Sequence, residues 1–292
     1  MSTVLLANEG KRGRLLVHSQ DAVPQYVMGH SKHERERLVG QSRLFGSFTR
    51  ELFLDAGITK GMRVLDVGCG VGDVSLLCAD LVGPKGEVVG VDRDPLAVSA
   101  AQERLRATWI GGVEFLEGDL RTLDFGTPFD AVVGRFVLMY TPDPAEALRA
   151  LVPHLRPQGI MAFQEMDFSV LPTSVPPSPL YKRMISWMRQ TFELAGVELQ
   201  MGFKLYASYV EAGLSEPQLR MDTVLGGGHN FEGYQYVADS WRSFLPMMEK
   251  FGVATADEVD IDTLAERLRE EVEQSRGCMS LQPLVGSWAR KP

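Results

Sequence analysis

The chain is poor in cysteine, with only Cys69, Cys78 and Cys278 among 292 residues. An odd number cannot all pair internally, and none of the three forms a CxxC motif. This speaks against a disulfide framework and for reduced thiols in a cytoplasmic protein. No apolar run approaches the roughly 18 residues of a membrane span. Lys11, Arg12 and Arg14 near the N-terminus lead into no continuous apolar signal core. Positive charge is also in short supply. The formal net charge is −8, which disfavours an extended nucleic-acid surface and leaves small molecules as the expected partners. His30, His33 and Glu34 do not make HExxH, so no metal is expected. No internal repeat is visible, and the sequence leaves a homodimer open.

What is present is apolar periodicity. Apolar residues make up 45 % of the chain, enough for a sizeable core. From Ser31 to Ala56 the spacing of Leu38, Phe45, Phe48, Leu52 and Phe53 predicts a helix, stopped by Gly57. The charge run His33–Arg37 reads as its solvated face. Strands are then expected at 63–67, 87–91, 113–116, 129–134 and 160–165, with helices at 74–81, 95–107 and 144–155 between them. Such alternation implies a parallel sheet covered by helices on both faces. Beyond Glu165 the rhythm breaks. Residues 171–179 hold four prolines. Further helices are expected at 181–194, 205–212, 233–250 and 262–273, with strands at 218–225 and 278–288. Gly226-Gly227-Gly228 reads as a flexible joint. The expected organisation is an N-terminal helical segment over 1–56 and a core of alternating strands and helices over 57–170. A cap insertion over 171–200 and a continuation of the core over 201–228 follow. A helical lid over 229–276 and a last core strand over 277–292 complete it.

The most informative stretch is Val64-Leu65-Asp66-Val67-Gly68-Cys69-Gly70-Val71-Gly72-Asp73. A strand runs into alternate glycines, and a helix follows. Glycine permits the tight turn and lets a ligand approach the backbone. A pyrophosphate at a G-x-G-x-x-G loop needs no carboxylate beside it. Asp66 and Asp73 flank this loop instead, which favours a positively charged ligand. Asp92 ends the second strand, where a carboxylate can accept hydrogen bonds from two ribose hydroxyls. Asp119 follows the third strand, where it can take an adenine amino group while a backbone N–H serves a ring nitrogen. Each acid also has a plain structural alternative. Asp66 can cap a helix or sit in a buried ion pair, Asp92 can cap the helix after Pro95, and Asp119 can belong to a turn. Acids after three successive strands are harder to obtain by chance than any one of them.

These motifs resemble the class I S-adenosylmethionine (SAM)-dependent methyltransferases, and among them the ubiquinone/menaquinone-methyltransferase-like group. The matching segments are 64–73, 88–95 (VVGVDRDP), 118–120, 129–144 (FDAVVGRFVLMYTPDP) and 155–160 (LRPQGI). The likeness covers roughly residues 40–165 well and the rest in outline. LRPQG departs from the two glycines more usual there, which concerns a turn. The resemblance implies a Rossmann-like seven-stranded, mostly parallel α/β sheet with its last strand antiparallel, and SAM at the carboxyl ends of strands one to four. It places Asp66, Gly68, Cys69, Gly70 and Gly72 on the methionine side. Asp92 and Arg93 would bracket the ribose, Asp119 and Leu120 the adenine, and Arg135 would face the cofactor. Tyr26 would bond the SAM carboxylate or pack near its sulfonium, unless it anchors the first helix.

Methyl transfer requires alignment and, for some acceptors, a base. Glu165, at the end of the fifth strand, and His229, after the glycine triplet, are the candidate bases, with His30 behind them. Each has a structural alternative, and a lone histidine is more often structural. Met184, Trp187, Met188, Phe192, Tyr206, Tyr209, Tyr234, Tyr236, Trp241, Phe244, Met247 and Met248 crowd the insertions. Many must be core, and the excess fits a pocket for an aromatic, isoprenoid or polyketide-like acceptor. O-methylation is favoured slightly over C-methylation of a quinone-like or isoprenoid acceptor, with N-methylation third. A nicotinamide-dependent oxidoreductase is the rival of another class. It would require G-x-G-x-x-G and a Tyr-x-x-x-Lys pair, but Pro144 stands four residues after Tyr140. A SAM-binding protein without catalysis would be expected to show a degraded loop.

Overall fold

The computed structural model describes residues 32–108, 110–119, 123 and 125–292, leaving aside the side chains of residues 32–36 and 39. Tyr26, His30 and Leu120 therefore lie outside the described residues. In chain order the elements begin with α1 (Lys32–Ala56), β1 (Arg63–Val67), α2 (Asp73–Val82), β2 (Glu87–Asp92), α3 (Pro95–Arg106), β3 (Val113–Glu117) and β4 (Phe129–Arg135). They continue with α4 (Pro144–Leu151), β5 (Leu155–Met166), β6 (Ser174–Val175), α5 (Pro179–Ala195), α6 (Met201–Glu211), β7 (Gln218–Asp222) and β8 (Leu225–Gly226). The last are α7 (Gly233–Lys250), α8 (Ala256–Val259), α9 (Leu264–Gln274), β9 (Cys278–Ser280) and β10 (Leu284–Arg290). No helix among the described residues is long and apolar enough to cross a membrane.

Local chemistry sets the helix starts. The side chains of Asp94, Asp143 and Ser178 accept hydrogen bonds from the N–H groups of Leu96, Glu146 and Tyr181. A proline follows each cap, where its missing N–H costs nothing and its fixed φ suits the first helical turn.

The main sheet runs β3-β2-β1-β4-β5-β10-β7. The first five strands are parallel, and β10 is antiparallel to both β5 and β7. This is the Rossmann-like, mostly parallel seven-stranded sheet expected from the sequence. Val64, Leu65, Ala131, Val132 and Val133 are all fully buried, because helices cover both faces of the central strands. Strand order reverses between β1 and β4, and a crevice opens there at the carboxyl ends.

Three expectations need correction. The stretch 278–288 is not one strand. It breaks at residues 281–283, so that β9 joins a small antiparallel sheet, β6-β9-β8, and only β10 enters the main one. The 218–225 strand likewise ends at Asp222. The glycine triplet is no joint: a Cβ on Gly226 would come within 2.3 Å of the Phe231 ring, and one on Gly227 within 2.5 Å of the Gly277 carbonyl. Close packing explains those two glycines.

Candidate active site

The loop between β1 and α2 takes three glycines through the left-handed region. Two of them do different work. At Gly72 (φ +85°) a Cβ would sit 2.7 Å from the Phe115 ring and 3.2 Å from the Ala101 Cβ, so this glycine lets α2 approach β3 and α3. At Gly70 (φ +52°) a Cβ would meet nothing within 4 Å. The backbone there faces a cavity of about 770 Å³, which Gly68, Cys69, Gly70, Asp73, Asp92, Arg93, Asp119 and Arg135 also line.

Asp92 holds this loop. Its Oδ2 accepts the Gly70 N–H at 2.8 Å and its Oδ1 accepts the Asp94 N–H at 2.9 Å. It is only half-buried, so each oxygen keeps capacity for a ligand hydroxyl. Arg93 and Asp119 form an ion pair at 2.9 Å on the same wall.

The acids beside the loop are spent differently from the sequence expectation. The Asp73 carboxylate pairs with Arg104 at 2.7 Å. Asp66 lies beneath the loop and does not line the cavity. It accepts Ser75 Oγ–H at 2.5 Å, its other oxygen is buried without a partner, and burial pushes its pKa up to about 7. Gly72 is also turned away from the cavity. The Asp66 carboxylate therefore does not present itself at the cavity wall to a cationic ligand.

Neither expected base reaches the cavity. The Glu165 carboxylate is fully buried and accepts the N–H groups of Val137 (3.0 Å), Leu138 (2.9 Å) and Met139 (3.3 Å). Burial pushes its pKa up to about 7 despite those bonds. Phe136, immediately before the three donors, sits at φ +59°. Glu165 thus pins the segment that walls the cavity. His229 is 73 % exposed and is occupied by Arg269 and Glu273. Sequence reasoning also missed Arg37. Its side chain is 5 % exposed and lines the cavity, where a solvated face was expected. The spacing Arg37, Gln41, Phe45 on α1 could have revealed it.

The loop, the half-free carboxylate at the end of β2 and a cavity along the switch point fit an adenosine-bearing cofactor. Comparison with known proteins agrees, since residues 58–213 match the methyltransferase-domain family. The chain belongs to the SAM-dependent methyltransferases. A demethylmenaquinone methyltransferase of Listeria welshimeri is 26 % identical over 210 residues, covering 71 % of this chain and 86 % of that protein. The YcgJ protein of Bacillus subtilis superposes with a TM-score of 0.54 at 15 % identity, covering 84 % of this chain and 99 % of that one. A phosphoethanolamine N-methyltransferase of Haemonchus contortus, solved with phosphomonomethylethanolamine and S-adenosylhomocysteine (SAH), gives 0.55 at 15 % identity, covering 88 % and 57 %. At those identities the two structures speak for the fold alone.

The methyltransferase cavity continues past the loop between the pinned segment and the insertions. Phe168, Met188, Phe192, Trp241 and Phe244 line this half. Phe192 packs edge-on against Phe168 and Phe244 at 5.1 and 5.6 Å between centroids, a rigid aromatic wall. The break between β9 and β10 adds Leu281 and Gln282 to the lining. Gln282 is fixed by donating to the Asp167 and Val170 carbonyls.

Proposed function

We propose that this methyltransferase transfers the methyl group of SAM to a small, largely apolar, ring-bearing acceptor. The observation that carries the reading is continuity: Gly70 and Asp92 at one end, and Phe192, Trp241 and Phe244 at the other, line one cavity. SAM, when bound, supplies a methyl carbon activated toward displacement by its sulfonium. The Gly68–Gly70 backbone, Asp92 and Asp119 would hold the nucleoside. The aromatic wall would orient the acceptor and exclude water, and Glu165 would fix the segment 137–139 between the two ligands. Alignment of this kind is the chief task of the protein in a displacement whose leaving group is already activated. The name of the Listeria relative supports carbon methylation of a quinol-like ring over the O-methylation that sequence alone ranked first.

The test is incubation with SAM carrying a ¹³C-labelled methyl and a panel of quinols, phenols and amines. The carbon shift of the product separates ring methyl from methoxy and N-methyl. Transfer to an apolar quinol or phenol is expected. Transfer only to a charged, non-cyclic amine would contradict the reading.

A further inference from the structure

The main sheet treats its two edges differently. On β3 the exposed positions are Glu114 and Glu117, a charged edge of the kind that keeps other chains away. On β7 they are Gln218, Leu219 and Met221. β7 stands last in the sheet, beside β10, so the main-chain groups along its outer side have no partner strand among the described residues.

Register fixes the face on which the two apolar side chains stand. Gly286 of β10 faces α1, since a Cβ there would come within 2.5 Å of Leu52. Arg220 stands opposite Gly286 and reaches the same helix, pairing with Glu51 at 3.0 Å and Asp55 at 2.7 Å. Successive residues of a strand alternate between faces. Leu219 and Met221, opposite Ser287 and Val285, therefore stand on the other face. That is the face α6 covers, where Val285 lies against Gly202. Helix α6 adds Phe203, Tyr206 and Val210, which spacings of three and four place on one stripe. Tyr206 donates its hydroxyl hydrogen to Glu216 at 2.5 Å, in the loop that leads into β7, so the stripe runs beside the strand. All five apolar side chains are between 40 % and 60 % exposed.

At roughly 200 Å² each, five side chains about half exposed leave about 450 Å² of apolar surface. With the apolar share of about 57 % usual in interfaces, this corresponds to about 800 Å² per partner, the size that a specific protein–protein contact needs. A second copy of the chain matches the edge position by position. When two β7 strands pair antiparallel about Arg220, Leu219 stands opposite Met221 of the partner subunit and Gln218 opposite Asp222 of the partner subunit, each twice by symmetry. The two α6 stripes then share one face of the joined sheet and enlarge the apolar contact. Arg220 falls on the two-fold axis, where bare like charges would repel. Each guanidinium is already turned onto Glu51, Asp55 and Asp222.

We propose that β7 and the exposed stripe of α6 form the interface of a symmetric dimer, in which the two sheets join edge to edge. The inference is independent of what the cavity binds.

The experiment is sedimentation equilibrium of the full chain over a wide concentration range. The wild-type mass is expected to rise from the 32.3 kDa of one chain to twice that value, while amide hydrogen exchange over residues 218–222 slows with concentration. Met221→Lys on the strand and Phe203→Glu on the helix should each raise the dimer Kd at least tenfold, with circular dichroism unchanged. Leu96→Lys, at an exposed apolar position on α3, should leave it within twofold. If Phe203→Glu does not fold, Met221→Lys and the wild-type behaviour decide. A wild-type chain that stays monomeric throughout overturns the proposal. So does a dimer that Met221→Lys leaves intact, or one that Leu96→Lys weakens equally.

Discussion

Two alanine substitutions two positions apart in the same turn should fail in different ways. Gly72→Ala places a Cβ 2.7 Å from the Phe115 ring and 3.2 Å from Ala101, at a φ of +85°. Left-handed backbone costs an ordinary residue about 1–2 kcal/mol, and overpacking a tight core adds about 1–3 kcal/mol. The sum, about 2–5 kcal/mol, should lower Tm by roughly 3–8 °C for a chain of 292 residues. Gly70→Ala has φ +52° and nothing within 4 Å, so only the backbone cost of about 1–2 kcal/mol applies. Its methyl group, however, enters the cavity where a nucleoside must approach the chain. Thermal melts with and without saturating SAH give both readouts. Gly72→Ala should melt much earlier than Gly70→Ala, while Gly70→Ala should lose at least tenfold in SAH affinity. Wild-type SAH affinity in Gly70→Ala, or a wild-type Tm in Gly72→Ala, would refute the division of labour drawn here.

Other perturbations separate the parts of the site. Asp92→Ala should weaken SAH at least tenfold by calorimetry, because the carboxylate both staples Gly70 and can accept ligand hydroxyls; an unchanged Kd would remove Asp92 from the site. Met188→Trp, filling the acceptor half from α5, should abolish turnover yet leave the SAH Kd within twofold; loss of both would mean that the two halves are not distinct. His229→Ala should keep kcat within twofold, since the ring is 73 % exposed and outside the cavity; a hundredfold loss would restore it as a base. Glu165 has its pKa raised from 4.5 to about 7, so the folded state holds its proton more tightly than the unfolded state. Its contribution is therefore greatest below pH 4.5 and is lost as pH rises toward 7, a change on the order of 3 kcal/mol. Glu165→Gln should flatten that part of a Tm–pH curve, and an unaltered slope would contradict the assignment.

Much of the fold was legible because its signals are local. Strand β1 and its glycine turn, the helix starts at Pro95 and Pro144, and the acid ending β2 each involve neighbours in sequence. What escaped depends on contacts between distant segments. Asp66 is obvious in the motif, yet whether it faces the ligand or the core depends on Ser75 and the helices above it. Glu165 read as a base because it ends a strand beside the expected methyl position. Its partners are backbone N–H groups 26–28 residues earlier, which carry no residue-type signature. Arg37 was hidden by its charged neighbours, since the face it occupies is set by the docking of α1 against α7. Residues 281–283 look like strand, but the demand to serve two sheets breaks them.

The whole account depends on an adenosine-bearing sulfonium cofactor occupying the turn between β1 and α2. Calorimetry of the wild-type chain against SAH and NAD⁺ tests it directly. Saturable one-to-one binding of SAH with no heat from NAD⁺ is the expected result. Binding of NAD⁺ without SAH would contradict it.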